Sequence, residues 1–426
     1  MMKTPLRALL FALIPLCLHG RAVTAPGYGD PLTSTVGTVH NVSSLVELTA
    51  ALTQANQSSD PDTILVADGT YILDGGVLQI TEDNLLIRSA SGNRDEVVLR
   101  GPDEGPSASA SHVFLISGSN VTVADVTLGY CRYHGIQIQG ESPHDAAGLH
   151  VHNCRIVNCN EQFIKGSSSD TDPVGATDGI IENCLFEFTS GWAYQYYTGG
   201  IDIHKGVNWI VRDNLFRNIR NSGTGVAEHA VHFWKRCSTR PQNVIVERNW
   251  IINCDRGIGF GLSSLDGGHN GGTSVIRNNF VYNDGAGVNT DVCIGLEYAD
   301  HIRVDNNTVY NGTYWAPIEY RFAGSTDLTF RNNLVNRVIQ ARDGAPAPTM
   351  LNNLESVEAS WFRDLSSGDL HLVPNVSEVI DQGVSIPDFG DDIDGDARPQ
   401  GGGWDIGADE YVQETANSDA QWLLCD

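Results

Sequence analysis

The sequence predicts an all-β chain, a parallel solenoid of stacked turns, on three observations. A short phrase recurs between residues 214 and 353: RDNLF, ERNWI, RNNFV, DNNTV, RNNLV and LNNLE. It places Asn214, Asn249, Asn279, Asn307, Asn333 and Asn353 in one column at irregular intervals of 20 to 35 residues, and upstream HNCRI and ENCLF put Cys154 and Cys184 in the same column. Units of this size bury an apolar face only by stacking on one another. Each unit also carries short runs of alternating apolar and polar residues bounded by Gly, Asn and Asp, which is the pattern of strands and turns and not of helix pairs. Finally, an Asn at one corner of every turn tolerates left-handed backbone and can bond the Asn above and below it.

In chain order, residues 1–25 read as a secretory signal: Lys3 and Arg7, an apolar run over 8–18, then Val23, Thr24 and Ala25 before a cut. The run is too short to span a bilayer, and no later segment approaches about 20 apolar residues. The chain is thus expected to be secreted, off the membrane, and monomeric. The formal charge of the whole sequence is −26, and Lys3, Arg7 and Arg21 leave with the signal. So acidic a chain lacks the basic footprint that DNA, RNA or anionic membranes require.

Residues 26–60 read as a leader and an N-terminal capping helix. Within 43–56, Leu45, Leu48, Leu52 and Ala55 fall on one face, and Ser44 with Glu47 makes a capping box. Such a helix would cover the first turn, otherwise a bare sheet edge. The solenoid follows over 61–411. It opens on DTILVADGTYIL (62–73), continues through two early turns in 84–140, and is most regular over 149–345. Segments 221–228, 263–273 and 284–291 are rich in Gly, Asn, Ser and Asp and read as loops that wall a binding face. Residues 391–411 (DDIDGDARPQGGGWDIGADEY) form a closing segment, and 412–426 a tail. The Asp residues at 391, 392, 394 and 396 lack calcium-loop spacing, which points to a cap paired with Arg398.

Eight cysteines remain after the signal. Cys154 stacks on Cys184, and Cys131 on Cys159. Neighbouring turns about 4.8 Å apart fit either two disulfides or stacked core thiols.

The repeat column and the DTILVADGTYIL opening resemble the right-handed parallel β-helix of the pectate-lyase-like superfamily over roughly residues 60–410, and the opening turn is similar to that of the alginate and chondroitin lyase family. The resemblance implies a carbohydrate-active enzyme, with lyases and uronate epimerases frequent on the fold.

A second strand follows the Asn corner in each turn: GIQIQ, GIDIHK, AVHFWK, GIGFG, CIGLE, PIEYR and VIQAR. Alternation puts Ile201, Ile203, Val231, Phe233, Ile258, Phe260, Ile294, Leu296, Ile318 and Tyr320 inside. One outward column then reads Asp202, His232, Gly259, Gly295, Glu319 and Gln340; its partner reads His204, Trp234, Gly261, Glu297, Arg321 and Arg342. Glycine weakens a strand, and close approach of a ligand is one reason to keep it. A flat trough suits a polysaccharide, with Trp234 as a platform for a sugar face.

Three readings fit this face. In β-elimination on a uronic-acid glycan, Arg321 and Arg342, or a Ca²⁺ held by Asp202, Glu297 or Glu319, would neutralise the substrate carboxylate. His232 oriented by Asp202 would be the base, and His204 or Lys205 the acid. In inverting hydrolysis, Glu297 and Glu319 would flank a water, being diagonal on adjacent turns at about 8 Å, within the roughly 6.5–9.5 Å such a pair needs. In the third, the trough only binds glycan. The plain alternative for each charged residue is a surface ion pair, Arg321 with Glu297 or Glu319 among them. The lyase reading is preferred.

Overall fold

The computed structural model describes residues 26–140, 144–167 and 174–412. The expected signal segment 1–25 and all but the first residue of the expected tail lie outside the described residues. Among them no helix is long and apolar enough to cross a membrane.

Three long parallel sheets wind around one core. The first has 12 strands, from Thr38–Val42 to Thr349–Leu351; the second has 11, from Gly69–Ile72 to Leu354–Glu355; the third has 10, from Leu78–Ile80 to Ile339–Arg342. One turn uses Ile210–Arg212, Leu215–Arg217 and His229–Trp234 in the three sheets successively. The inward column predicted for the third sheet is all in the core, from Ile201 and Val231 to Ile318 and Tyr320.

The corner between the first and second sheets carries the repeat. Asn214, Asn249, Asn279 and Asn307 are fully buried, and each donates its side-chain amide to the oxygen of the next one along, at 3.0, 3.0, 2.9 and 3.0 Å. The last step, Asn333 to Asn353, is 2.8 Å. The left-handed residue is the one before the ladder: Asp213, Arg248, Asn278, Asn306, Asn332 and Asn352, with φ of 48 to 58°. One residue therefore makes the bend, and the next is free to turn its amide inward and satisfy buried backbone. Upstream the ladder continues in sulfur, with the Cys154 N–H against Cys184 Sγ at 3.3 Å. The two predicted cysteine pairs are stacked thiols, with Cys131 and Cys159 sulfurs 3.4 Å apart.

Helix α1 (Leu45–Ala55) forms where its apolar face predicts. Ser44 caps it by accepting from the Glu47 N–H, and Leu48, Ala51, Leu52 and Ala55 join the core. The Glu47 carboxylate reaches back to the N–H of Ser43, one residue earlier than a standard capping box. The leader is more ordered than its composition suggests. Residues 38–42 are the edge strand of the first sheet, and residues 27–34 lie as a strap across later turns. Gly29 donates to Asn153, Leu32 to Asp125, and the Gly27 carbonyl accepts from Arg94 at 2.6 Å.

The closing segment differs from an end plug. After an antiparallel pair, Phe362–Asp364 with Asp369–Leu372, the chain folds back over the outer face of the second sheet. There Phe362, Leu370, Leu372, Ile393 and Ile406 bury Phe280, Tyr282 and Leu334 in a second core. The apolar outer residues of that sheet dictate this route, because uncovered they would be a large exposed patch. Arg398 pairs with Glu410 at 2.8 Å, both buried. Asp392 accepts from the N–H groups of Asp394, Asp396 and Glu410, so it closes a turn.

Candidate active site

The outer face of the third sheet has the register the alternation predicts. Asp202 lies opposite His232, His232 opposite Gly259, Gly259 opposite Gly295, and Gly295 opposite Glu319. In the partner column His204 faces Trp234, Glu297 faces Arg321, and Arg321 faces Arg342. The side chains divide into two groups.

The first group centres on Asp202. Four donors from three turns converge on its carboxylate: Lys165, His204 Nε2 at 3.3 Å, His232 Nδ1 at 3.4 Å and Trp234 Nε1 at 3.0 Å. Burial alone would raise the Asp202 pKa, but Lys165 and the histidines hold it well below the usual carboxylate range. Burial likewise opposes charge on His232, yet Asp202 and the Gly261 carbonyl, 3.0 Å from Nε2, raise its pKa. Its two ring nitrogens face Asp202 and the Gly261 carbonyl, so a role as general base would require one of these contacts to open. His204 keeps a lowered pKa from burial, and Nδ1 accepts from Arg236 at 3.0 Å, so its Nε2–H faces Asp202. Trp234 is half-buried and packs against the His204 ring, centroids 4.0 Å apart. Lys205 is buried at the strand end. With four donors around Asp202, the residues do not form the all-oxygen cage a Ca²⁺ needs.

The second group lines a pocket of about 350 Å³, formed by Glu228, His229, Arg256, Gly261, Asp291, Gly295, Glu297, Glu319, Arg321 and Arg342 among others. Glu319 is buried, accepts from the Tyr314 hydroxyl at 2.8 Å, and meets Arg342 Nη1 at 2.9 Å. Burial raises its pKa against the pull of those two donors. Glu297 is half-buried and bonds Arg321 at 2.6 Å; Arg321 also binds Asp343 at 2.6 Å. Of the ion pairs foreseen as the plain alternative, Arg321 with Glu297 forms, whereas Glu319 takes Arg342 in place of Arg321. On the opposite wall Arg256 bridges Asp291 at 2.9 Å and Glu228 at 3.5 Å.

His229 separates the two groups. Its ring stacks on His232 with centroids 4.6 Å apart and lies on Gly259, where an added Cβ would come within 2.5 Å of Nε2. Gly259 is small to admit this imidazole. Burial pushes the His229 pKa well below its ordinary value, so the ring is neutral. Gly261 has φ of 85°, and the Glu297 carbonyl approaches to where its Cβ would be.

No family model and no curated protein sequence matches the chain. Solved structures do. Pectate lyase Pel9A superposes with a TM-score of 0.59 at 15% identity, covering 89% of this chain and 98% of that one. The fold is a right-handed parallel β-helix. An alginate lyase from a Paenibacillus species matches with a TM-score of 0.47 at 16% identity, over 75% of this chain and 99% of its own. At such identities the likeness of this β-helix concerns its architecture.

Sequence reasoning missed Lys165, which shares the Asp202 column one turn earlier. It also missed Arg256, which starts its strand a residue before GIGFG, and left the direction of Glu228 and His229 open. Alternation carried no signal for Arg256, because it puts that residue in the inward column of Ile258 and Phe260, whereas the side chain reaches Asp291 and Glu228 at the pocket.

Proposed function

We propose that this β-helix is a carbohydrate-active enzyme that takes a glycan along the trough of its third sheet and cleaves it by inverting hydrolysis. Glu319 serves as general acid and Glu297 as general base. One observation supports this above the rest: the two carboxylates open on one pocket from adjacent turns, in opposed environments. Burial keeps a proton on Glu319 to higher pH, whereas Glu297 is only half-buried and bonds the Arg321 guanidinium at 2.6 Å. Diagonal neighbours in a sheet are about 7–8 Å apart, inside the roughly 6.5–9.5 Å that leaves room for an attacking water. Arg256 and Arg342 would then fix sugar hydroxyls and carboxylates through paired N–H donors.

A second reading, β-elimination on a uronate glycan, draws support from the three guanidiniums on that pocket, Arg256, Arg321 and Arg342. Each would have to exchange its present carboxylate partner for that of the substrate, and the base would come from the pocket and not from His232.

Neutral and uronate polysaccharides incubated with the purified protein separate the readings. Hydrolysis releases reducing ends of inverted configuration with no absorbance from a new double bond, and Glu319→Gln and Glu297→Gln each lower turnover by about 10²–10⁴. Double-bond absorbance would establish elimination instead. Retention on glycan with no cleavage at all would leave a binding protein.

A further inference from the structure

The outer face of the first sheet, remote in the turn from the third, carries a cluster that cleavage does not use. His150 and His152 project from the strand His150–His152, on either side of the buried Val151. Glu182 lies opposite His152 on the next turn. His150 Nε2 and His152 Nδ1 stand 3.0 and 3.2 Å from one oxygen, Glu182 Oε1. All three atoms lie within 4.8 Å of one another. Ligands on a tetrahedron with bonds of about 2.0–2.1 Å stand about 3.3 Å apart, so small adjustments bring these three around one ion.

The groups behind the cluster are those that hold metal ligands in place. His152 Nε2 faces the Asp30 carbonyl of the leader strap at 2.9 Å, which fixes the ring and, in the Nε2–H tautomer, leaves Nδ1 as a lone pair. Arg212 occupies the other oxygen of Glu182, with Nε at 2.8 Å and Nη2 at 2.7 Å, and leaves Oε1 for the cluster. Asp125 adds negative field at His152. Without an ion, both nitrogens of His152 face oxygen acceptors, and only the doubly protonated ring satisfies both. A cation between Nδ1 and Oε1 replaces that proton and removes the conflict.

We propose that His150, His152 and Glu182 form a binding site for a divalent transition-metal ion of the Zn²⁺ type. Two imidazoles and one carboxylate suit that class, and solvent beside the partly exposed His150 completes the coordination. On binding, His152 gives up its Nδ1 proton to solvent, His150 exchanges its Nε2 proton through solvent for one on Nδ1, and the ion accepts lone pairs from His152 Nδ1, His150 Nε2 and Glu182 Oε1. The ion then ties two turns and the leader strap together, so its effect is on stability.

The test uses the full chain, stripped with a chelator and titrated with Zn²⁺ by calorimetry, with Co²⁺ as the spectroscopic probe. One equivalent should bind with proton release, raise Tm, and give Co²⁺ bands of low-symmetry N/O coordination. His150→Ala and Glu182→Gln should each weaken binding about 10–100-fold. His150→Ala touches a partly exposed ring, so the test stands even if Glu182→Gln fails to fold. No bound Zn²⁺, or an affinity unchanged in His150→Ala, overturns the proposal. So does loss of the equivalent in His371→Gln, since the ion would then lie in the His371, Asp394 and Asp409 cluster of the closing segment.

Discussion

The indole N–H of Trp234 donates to Asp202 Oδ1 across 3.0 Å, from one turn of the coil to the one before. With His204 it is one of two neutral donors in a set whose charged members are Lys165 and His232. Asp202→Asn would leave those two cations buried without a counter-charge, at about 3–5 kcal/mol of folding stability. Trp234→Phe removes a single hydrogen bond to a charged group, worth about 1.5–3 kcal/mol. Denaturant titration of both variants should rank them in that order; equal losses would remove Lys165 and His232 from the account.

Gly259→Ala sets a methyl within 2.5 Å of His229 Nε2, while at Gly295 the nearest atom is Val292 Cγ1 at 3.1 Å. The first substitution displaces the imidazole from His232 and shifts the pocket wall, at about 1–3 kcal/mol. The second should be milder in both melting temperature and turnover.

Asn279→Ala removes the oxygen that serves the Asn249 backbone and side chain, and takes the side-chain donor from the Asn307 oxygen, which keeps the residue 279 N–H, and from the Val246 carbonyl. Several buried groups lose partners at once, and a loss of about 2–5 kcal/mol follows. Asn353→Ala, at the half-buried end of the ladder, should cost less in the same melting experiment.

His371 lies between Asp369 and Asp394. Burial opposes its charge, but the two carboxylates raise its pKa to about 10. A folded pKa above the unfolded value near 6.5 gives stability that is complete below about pH 6.5 and is lost as pH rises through 10. The stability difference between wild type and His371→Gln should therefore be greatest near pH 6 and shrink toward pH 10.

The coil was legible because a two-residue period and a repeated Asn leave only one register in which Ile201, Val231, Ile258 and Ile294 all face inward. Two facts escaped for physical reasons. The interval from Lys165 to Asp202 is stretched to 37 residues by an intervening loop, so the column could not be extended upstream by counting. The second partner of His232 is a backbone carbonyl, that of Gly261, and carbonyls have no residue signature. The route of the closing segment depended on apolar residues such as Phe280 and Tyr282 on the outside of the second sheet, which alternation alone reads as ordinary strand.

The strap of residues 27–34 touches Asp125, Asn153 and Asn183, groups brought to one line only after the turns that bear them have stacked. A coil of this kind can nucleate at any rung and zip outward. The strap cannot share that freedom, because its docking site does not exist on a single rung. The earliest described part of the chain is thus among the last to find its place, and its detachment should be the first event when the coil begins to fray.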